Sequence, residues 1–538
     1  MHGVIAAGHP QTAAAGAEIL QQGGNAVDAA VAASFASFVA EAVLVNIGGG
    51  GMAQVYEPTT GRTTVFDFFS AMPGLAAKRE RPPLDIDFRK ILVDFGPAQQ
   101  PFYIGRGSVA VPGVVAGLCA MVRDLGTLPL SQILAPAIRL ARQGVILSDA
   151  LGYVSEILAP ILMDTPEIKA IYAPNGHIAT AGDRLHFPDL AGTLEQLGRQ
   201  GSALFYTGKI GRQILADQQA HQGLLTEADL AEYRVRRTEP IVIDYRDYTV
   251  LLPPPASGGG VLIAFTLKLL AGLRLANLPH HSFEHLCLLA EAMRLTTMAR
   301  AAWETECGGL DPGAIAADQT ECIGKFLGEE NIKQFQDRLQ EALSSRNFTP
   351  EPDLPKGPAS TTHVSVADAD GMIVGITTSA GESAGFAVSN TGVTLNNMLG
   401  EIDLHPNGFH RLPPGQRLMT MMSPVLVLRR GRPRLAIGSG GSNRLRSAII
   451  QVISNFIDFD MHLDQAVDAP RVHFEDNKLQ LEGGISPIVA DQLQAAGYAV
   501  NRWPDRNMFF GGAHAVARDG GRWVAAGDRR RGGSVMTV

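Results

Sequence analysis

Residues 355–379 read PKGPASTTHVSVADADGMIVGITTS. A Pro-rich polar segment leads straight into two alternating segments, which predict short strands joined at Asp370-Gly371. Ser360 and Thr361 stand where the first strand begins. If the peptide bond before Thr361 were cut, that threonine would carry both a hydroxyl and a free α-amino group, an arrangement known to activate threonine nucleophiles. The stretch therefore predicts a nucleophile that is created by chain cleavage.

Length and composition are typical of a globular protein with a large core. The chain has 538 residues, of which 46% are hydrophobic and 18% charged, and its length suits about two to four domain-sized units. The formal net charge is −8, so the chain lacks the basic footprint of a nucleic-acid-binding protein. We expect no nucleic-acid partner.

The four cysteines are Cys119, Cys287, Cys307 and Cys322. They form no CxxC pair and lie among no clustered histidines, so we expect reduced thiols and no zinc site. The sequence gives no positive sign of any other metal or of an organic cofactor.

The N-terminal region carries no targeting or membrane signal. The start, MHGVIAAGHP, has no basic segment followed by an apolar one, so we expect no signal peptide. The apolar run at 29–45 is interrupted by Glu41 and is too short to span a bilayer. These features predict a cytoplasmic protein that makes no membrane contact.

The character of the chain changes at a Pro-rich linker, residues 344–360. Helical patterns dominate much of the sequence before the linker, and strand patterns dominate after it. Segregated helices and strands favour an α+β layered architecture over a doubly wound parallel sheet. The linker divides the chain into residues 1–360 and residues 361–538, which we expect to form one core together.

Ordered motifs throughout the chain resemble those of the γ-glutamyltranspeptidase family of N-terminal-nucleophile hydrolases. The motifs are QQGGNAVDAAVAA, IGGGG, VAVPGVVAG, GLLTEADLAEYRV, PPPASGGG, TTHVSV, LNNM, and GSGGSNR. Each is weak alone, and their order over nearly the whole length carries the resemblance. It implies a four-layer αββα fold, made as a precursor that cleaves itself between Ser360 and Thr361 into a large and a small subunit that stay associated.

The resemblance also implies a catalytic set around Thr361. A free α-amine has a reference pKa of about 7.7–8.0, so a neutral fraction could take the proton from the threonine Oγ. Ser379 stands where the family usually has a threonine that orients the nucleophile. Gly441 and Ser442 match the two residues whose backbone N–H groups form the oxyanion hole. Thr362 and His363 are expected to be structural.

The substrate-binding positions depart from the family pattern. The family pattern at these positions consists of an arginine that binds an α-carboxylate, two serines, an asparagine, a glutamine, and an acidic residue that reads an α-ammonium. The matching positions here are, in the same order, Phe69, Thr420, Met421, Gly381, Met398 and Glu401. Much of the expected clamp for an amino-acid head group has therefore become apolar.

Three interpretations follow for the substrate. The family relation suggests γ-glutamyl amides such as glutathione, with transfer of the acyl group to water or an amino acid; Arg89, Arg106 or Arg417 could then replace the missing arginine. Alternatively, the enzyme is an acylase on glutaryl or other non-glutamyl amides, as in related cephalosporin acylases. A less favoured interpretation is a non-catalytic homologue, against which the intact surroundings of Thr361 argue.

Overall fold

A computed structural model describes residues 2–76, 85–94, 99–306, 316–345, 360–405 and 408–538. The strands are β1 (Gly3–Ala7), β2 (Gly50–Glu57), β3 (Arg62–Phe68), β4 (Arg89–Asp94), β5 (Gln99–Ile104), β6 (Val145–Ile146), β7 (Arg184–Leu185), β8 (Arg236–Thr238), β9 (Ile241–Tyr245), β10 (Tyr248–Leu252), β11 (Thr361–Asp368), β12 (Ile373–Ser379), β13 (Ala387–Val388), β14 (Val393–Thr394), β15 (Val425–Arg429), β16 (Arg432–Gly440), β17 (Val472–Glu475), β18 (Lys478–Leu481), β19 (Ala499–Arg502), β20 (Gly512–Asp519), β21 (Arg522–Ala526) and β22 (Ser534–Thr537). The helices are α1 (Pro10–Gln21), α2 (Ala26–Ala40), α3 (Val114–Leu125), α4 (Leu130–Ile133), α5 (Ala135–Gln143), α6 (Asp149–Ile157), α7 (Ala159–Leu162), α8 (Pro166–Tyr172), α9 (Pro188–Gln200), α10 (Ala203–Tyr206), α11 (Lys209–Ala220), α12 (Glu227–Glu232), α13 (Gly258–Ala271), α14 (Phe283–Glu306), α15 (Ala316–Phe326), α16 (Glu329–Ser345), α17 (Arg444–Ile457), α18 (Leu463–Asp468) and α19 (Pro487–Ala495).

Two antiparallel sheets form the centre of the molecule. Seven of the described strands make one sheet, in the order β22-β1-β11-β12-β2-β3-β8, and six make the other, in the order β21-β20-β16-β15-β10-β9. Each sheet takes strands from both sides of residue 360. The parts of the chain before and after that residue are therefore joined by shared backbone hydrogen bonds.

The two sheets pack face to face, and helices cover both outer faces. Helices α1 and α2 lie on the seven-stranded sheet, and α13 and α17 lie on the six-stranded sheet. A smaller apolar cluster, which includes Val4, Leu426 and Val516, fills the space between the sheets. This αββα arrangement confirms the predicted α+β class.

Strand β11 lies inside the seven-stranded sheet and is buried along its whole length. Because side chains alternate across a strand, Val364 and Val366 join the core beneath the helices. Ala367 faces the six-stranded sheet instead. Thr361 has the same parity as Ala367, so the alternation directs its side chain toward the space between the sheets.

The two residues that follow Thr361 in the chain, Thr362 and His363, make structural contacts, as predicted. Thr362 points to the helix side, where its hydroxyl donates a hydrogen bond of 2.5 Å to the Glu41 carboxyl group. His363 lies between the sheets, with its ring nitrogens 2.8 Å from the hydroxyls of Thr377 and Ser365. Burial lowers the pKa of His363 well below its usual value, so the ring is neutral and serves as a hydrogen-bonded spacer.

Three expectations about the rest of the chain have different outcomes. Helix α16 extends to Ser345, into the first residues of the predicted linker, and residues 346–359 lie outside the described ranges. Cys322 is disulfide-bonded, so the expectation that all the cysteines are reduced is wrong; pairing depends on distances in the fold that spacing does not reveal. Within the described ranges, we find no helix with the length and apolar character to cross a membrane.

We expect the core under β12 to be essential for stability. Ile376 is 1% exposed and packs beneath the helices, so Ile376→Ala should lower the free energy of unfolding by about 2–5 kcal/mol. Val242→Ala, at a side chain that is 60% exposed, is the matched control and should change it little. Chemical denaturation measures both variants, and equal effects would contradict this assignment of the core.

Candidate active site

The register of β11 and β12 places Thr361 directly opposite Ser379. Both residues lie at the end of the hairpin that is remote from its turn, and both are nearly buried. On the adjoining sheet, Gly440 approaches Thr361 so closely that a Cβ atom there would lie 2.3 Å from the Thr361 carbonyl oxygen. Close backbone packing between the two sheets therefore holds Thr361 at the end of its strand.

Ser360, the residue before the predicted cleavage point, is held on several sides. The Ser379 hydroxyl donates a hydrogen bond of 2.6 Å to the Ser360 carbonyl oxygen. The Glu382 carboxyl group accepts from the Ser360 N–H at 3.0 Å and from the Ser360 hydroxyl at 2.6 Å. In the intact chain, the predicted orienting hydroxyl thus contacts the peptide bond that would be cut. Sequence reasoning missed Glu382.

The loop after β16 contains the two residues that the family resemblance assigns to an oxyanion hole. Gly441 and Ser442 both have positive φ angles, 124° and 52°, the first of which favours glycine. Within the described part of the chain, neither backbone N–H donates a hydrogen bond. Both N–H groups also precede helix α17, whose N-terminus favours negative charge.

Ser442 is strained in the left-handed region and gains a compensating contact. Its hydroxyl donates a hydrogen bond of 3.2 Å to the Asp403 carboxyl group. This contact ties the loop to the segment after β14, which also carries Met398 and Glu401. The Ser442 side chain therefore has a specific partner in the fold.

The predicted nucleophile and the predicted substrate-binding residues line one small cavity. The cavity has a volume of about 30 Å³ in the intact chain, which is room for a water molecule or two. Its lining consists of Phe69, Thr361, Ser379, Gly381, Met398, Glu401, Asp403, Leu404, Thr420, Met421, Met422, Ser442 and Leu445. Residues that are distant in sequence thus meet at Thr361, and their roles there remain predictions.

A cluster of buried carboxyl groups borders this cavity. Burial raises the pKa of Glu382 to about 7 and that of Asp403 to about 6, and it raises the pKa of Glu401 well above its usual value. The neighbouring carboxylates Asp403 and Glu382 add to the effect on Glu401. Within the described residues, Glu401 Oε1 and Asp403 Oδ1 have no hydrogen-bond partner. The cavity therefore favours protonated carboxyl groups or a bound cation, and it disfavours additional negative charge.

The three arginines considered as replacements are already paired with carboxylates. Their N–O distances are 2.7 Å from Arg89 to Asp164, 2.9 Å from Arg106 to Asp217 and 3.3 Å from Arg417 to Asp67. None of them lines the cavity, and no lysine or arginine does so among the described residues. The prediction that Arg89, Arg106 or Arg417 takes the place of the family's arginine is therefore wrong for this cavity. Each guanidinium is instead ion-paired with an aspartate that lies far away in the sequence.

A different arginine lies next to Thr361. Arg531 Nη1 is 3.4 Å from the Thr361 carbonyl oxygen. Burial lowers the pKa of Arg531 to about 10, with a further contribution from the charge of Arg444. Arg531 belongs to the stretch AGDRRRGG, residues 526–533. Nothing in this stretch indicates which of its arginines approaches Thr361.

The layered fold and the threonine at the start of a central strand define a class of protein, the N-terminal-nucleophile hydrolases. Comparison with known proteins identifies the family. The model of the family described as Gamma-glutamyltranspeptidase matches residues 12–538, and the chain belongs to that family.

Relatives within this family have two kinds of name. The chain is 36% identical to the acylase ACY 1 proenzyme of Pseudomonas sp. (strain SE83), over 96% of this chain and 89% of the relative. It is 30% identical to the glutathione hydrolase proenzyme of Bacillus subtilis (strain 168), over 100% of this chain and 91% of the relative. Among solved structures, the cephalosporin acylase from Bacillus halodurans superposes with a TM-score of 0.84 at 25% identity, covering 99% of this chain and 95% of that one.

The buried carboxyl groups predict that the intact chain becomes less stable as pH rises. A raised pKa in the folded state means that the folded chain binds protons more tightly than the unfolded chain. The stabilisation is therefore complete below the ordinary carboxyl pKa, and it is lost as pH rises through about 6 to 7 and beyond. The measurement is the thermal midpoint from pH 4 to pH 8 in a Thr361→Ala background, in which the predicted cleavage cannot occur.

Glu401→Gln should flatten this pH dependence, because the amide removes one of the groups that must be buried with charge. Asp337→Asn, at an exposed carboxylate on α16, is the control and should leave the slope unchanged. A Glu401→Gln variant with the parent slope would contradict the assignment.

Proposed function

We propose that this protein is a self-processing amidohydrolase and acyltransferase with Thr361 as its nucleophile. The observation that carries the proposal is the pairing of Thr361 with Ser379 at a cavity that Ser442 also lines, where the N–H groups of Gly441 and Ser442 have no hydrogen-bond acceptor among the described residues. Cleavage before Thr361 would free its α-amino group, which can then accept the proton from its own Oγ. Nucleophile, base and oxyanion donors would all lie at one end of the sheet sandwich.

The proposed reaction has two stages. Thr361 Oγ attacks the carbonyl carbon of the amide, and the negative charge that develops on the carbonyl oxygen is stabilised by the N–H groups of Gly441 and Ser442. Donors of this kind contribute about 2.7–4 kcal/mol each in other enzymes. The amine leaves with a proton from the Thr361 ammonium, and the resulting ester is then transferred to water or to the amine of an amino acid. The two subunits would stay associated because they share both sheets.

Self-cleavage of the precursor can be tested directly. Purified wild-type protein should separate on a denaturing gel into residues 1–360 and 361–538, and N-terminal sequencing of the smaller fragment should begin at Thr361. Thr361→Ala should remain a single inactive chain because no Oγ is left to attack. Thr361→Ser, which keeps a hydroxyl, is the matched control and should still cleave. Wild-type protein that stays at full length after incubation would refute the proposal.

The substrate class is the finer part of the proposal. γ-Glutamyl amides are the first candidates because some family relatives are named glutathione hydrolase proenzymes. The alternative is an acylase on glutaryl or other non-glutamyl amides, and the cavity supports this alternative for acyl groups that carry no carboxylate. Phe69 occupies the position of the family's arginine, no lysine or arginine lines the cavity among the described residues, and a bound carboxylate would share the cavity with the carboxyl groups of Glu401 and Asp403. A buried carboxylate without a cationic partner is strongly disfavoured.

Four anilides test this preference with one charge changed at a time. The γ-glutamyl group carries a carboxylate and an ammonium, the glutaryl group only the carboxylate, the 4-aminobutyryl group only the ammonium, and the butyryl group neither. We expect kcat/KM to be at least about tenfold higher for the two anilides without a carboxylate, which corresponds to ~1.4 kcal/mol. A γ-glutamyl anilide that is the best of the four would overturn the acylase assignment.

The variant Phe69→Arg tests the same point from the protein side. Returning a cation to this position should raise the relative kcat/KM of the γ-glutamyl and glutaryl anilides, because a guanidinium binds a carboxylate bidentately. Phe69→Leu, which changes size but not charge, is the control and should preserve the wild-type order of the four.

A further inference from the structure

Glu382 makes a set of contacts that the reaction on an external substrate does not require. Its side chain is buried, with 5% of the residue exposed, and both carboxyl oxygens accept hydrogen bonds from Ser360, at 3.0 Å and 2.6 Å. The backbone of Glu382 is itself fixed, because its N–H donates to Asn397 Oδ1 at 2.8 Å. A buried carboxyl group is thus directed at the single residue that precedes the nucleophile.

Together, Glu382 and Ser379 engage every polar group of Ser360. Glu382 accepts from the N–H and the hydroxyl, and Ser379 donates to the carbonyl oxygen at 2.6 Å. On the other side of the peptide bond, Thr361 is held by its place in β11. Both halves of the bond are therefore fixed relative to each other before any reaction takes place.

We propose that Glu382 is a positioning residue for self-cleavage, which holds Ser360 so that its carbonyl carbon is presented to Thr361 Oγ. This inference rests on the proposed cleavage between Ser360 and Thr361. Holding reacting atoms in a productive arrangement removes orientational freedom that would otherwise slow the step. Burial raises the pKa of Glu382 to about 7, and perturbed buried carboxyl groups of this kind concentrate at functional sites.

The chemistry of the step balances with water as the only co-reactant. Thr361 Oγ forms a bond to the Ser360 carbonyl carbon as its proton leaves, the bond from that carbon to the Thr361 nitrogen breaks, and the nitrogen gains a proton. Water then hydrolyses the ester, which leaves a carboxylic acid on Ser360 and restores the Thr361 hydroxyl. Glu382 forms no covalent bond at any point.

The same contacts place Glu382 close to the carboxylate that cleavage creates on Ser360, which is an unfavourable arrangement. Hydrolysis creates a carboxylate on Ser360, whose N–H and hydroxyl lie within hydrogen-bond distance of the Glu382 carboxyl group. Two carboxylates in one buried site repel each other. The arrangement that holds the precursor therefore favours departure of the new chain end from the site, so that Thr361 becomes accessible.

The test follows the conversion of freshly made full-length chain into its two fragments over time on denaturing gels. Glu382→Ala should slow the conversion by about tenfold to a hundredfold, as expected for the loss of a charged hydrogen-bond acceptor. Glu382→Asp keeps the carboxylate and should recover part of the rate. Ser360→Ala removes one of the two contacts and should slow the conversion less than Glu382→Ala does.

A double variant separates positioning from a general structural role. If Glu382 acts through the Ser360 hydroxyl, adding Ser360→Ala to Glu382→Ala should slow the conversion no further, whereas independent structural effects would multiply. Glu41→Gln is the matched control, because Glu41 is also a buried carboxyl group that accepts from a neighbouring residue, Thr362. It should shift the thermal midpoint and leave the conversion rate near that of the wild type.

The outcomes are distinguishable from those of the proposed function. Wild-type protein that never converts would overturn both proposals, whereas wild-type conversion that is matched by a folded Glu382→Ala variant would overturn this inference alone. Equal slowing by Glu41→Gln would also overturn it. If Glu382→Ala does not fold, the rates of Glu382→Asp and Ser360→Ala decide the question in the same way, because wild-type rates for both would exclude positioning through Ser360.

Discussion

The antiparallel register between β11 and β12 is the constraint on which the rest of the site depends. It places Thr361 opposite Ser379, and a shift by one residue would exchange the faces of every side chain on β11. Such a shift would turn Thr362 toward the space between the sheets and Thr361 toward the helices. The register is enforced on both faces, by Val364 and Val366 beneath the helices and by His363 between the sheets.

The charges of the residues that line the cavity at Thr361 differ from the family pattern. Apolar side chains such as Phe69 and Met398 share the cavity lining with Glu401 and Asp403, and burial raises the pKa values of both acids. A site of this kind tolerates neutral or cationic groups better than anions. The register that pairs Thr361 with Ser379 does not depend on the charge of the cavity, because backbone hydrogen bonds set the first and side chains set the second.

Much of the fold and part of the site could be predicted from the sequence. Alternation after Ser360 predicts β11 and β12, and the segregation of helices and strands predicts the α+β class. The meeting of Phe69, Thr420 and Met421 at Thr361 could be predicted only from the family resemblance, since no local pattern links segments so far apart. Glu382 was missed because a glutamate just after a strand resembles an ordinary loop residue, and its burial depends on the fold around it.

Charge pairing was the least predictable feature. The sequence allows Arg417 as a ligand for the substrate, whereas the fold pairs it with Asp67. The spacing of the cysteines likewise does not reveal the disulfide of Cys322. Local sequence by itself determined the strands, the turn at Asp370-Gly371 and the hydroxyl at the head of β11, because these depend on neighbouring residues. Only the tertiary structure decided which charges are neutralised and which remain buried and unpaired at the site. The physical reason is that the energy of a charge depends on its solvent exposure and on partners that the fold brings from elsewhere in the chain.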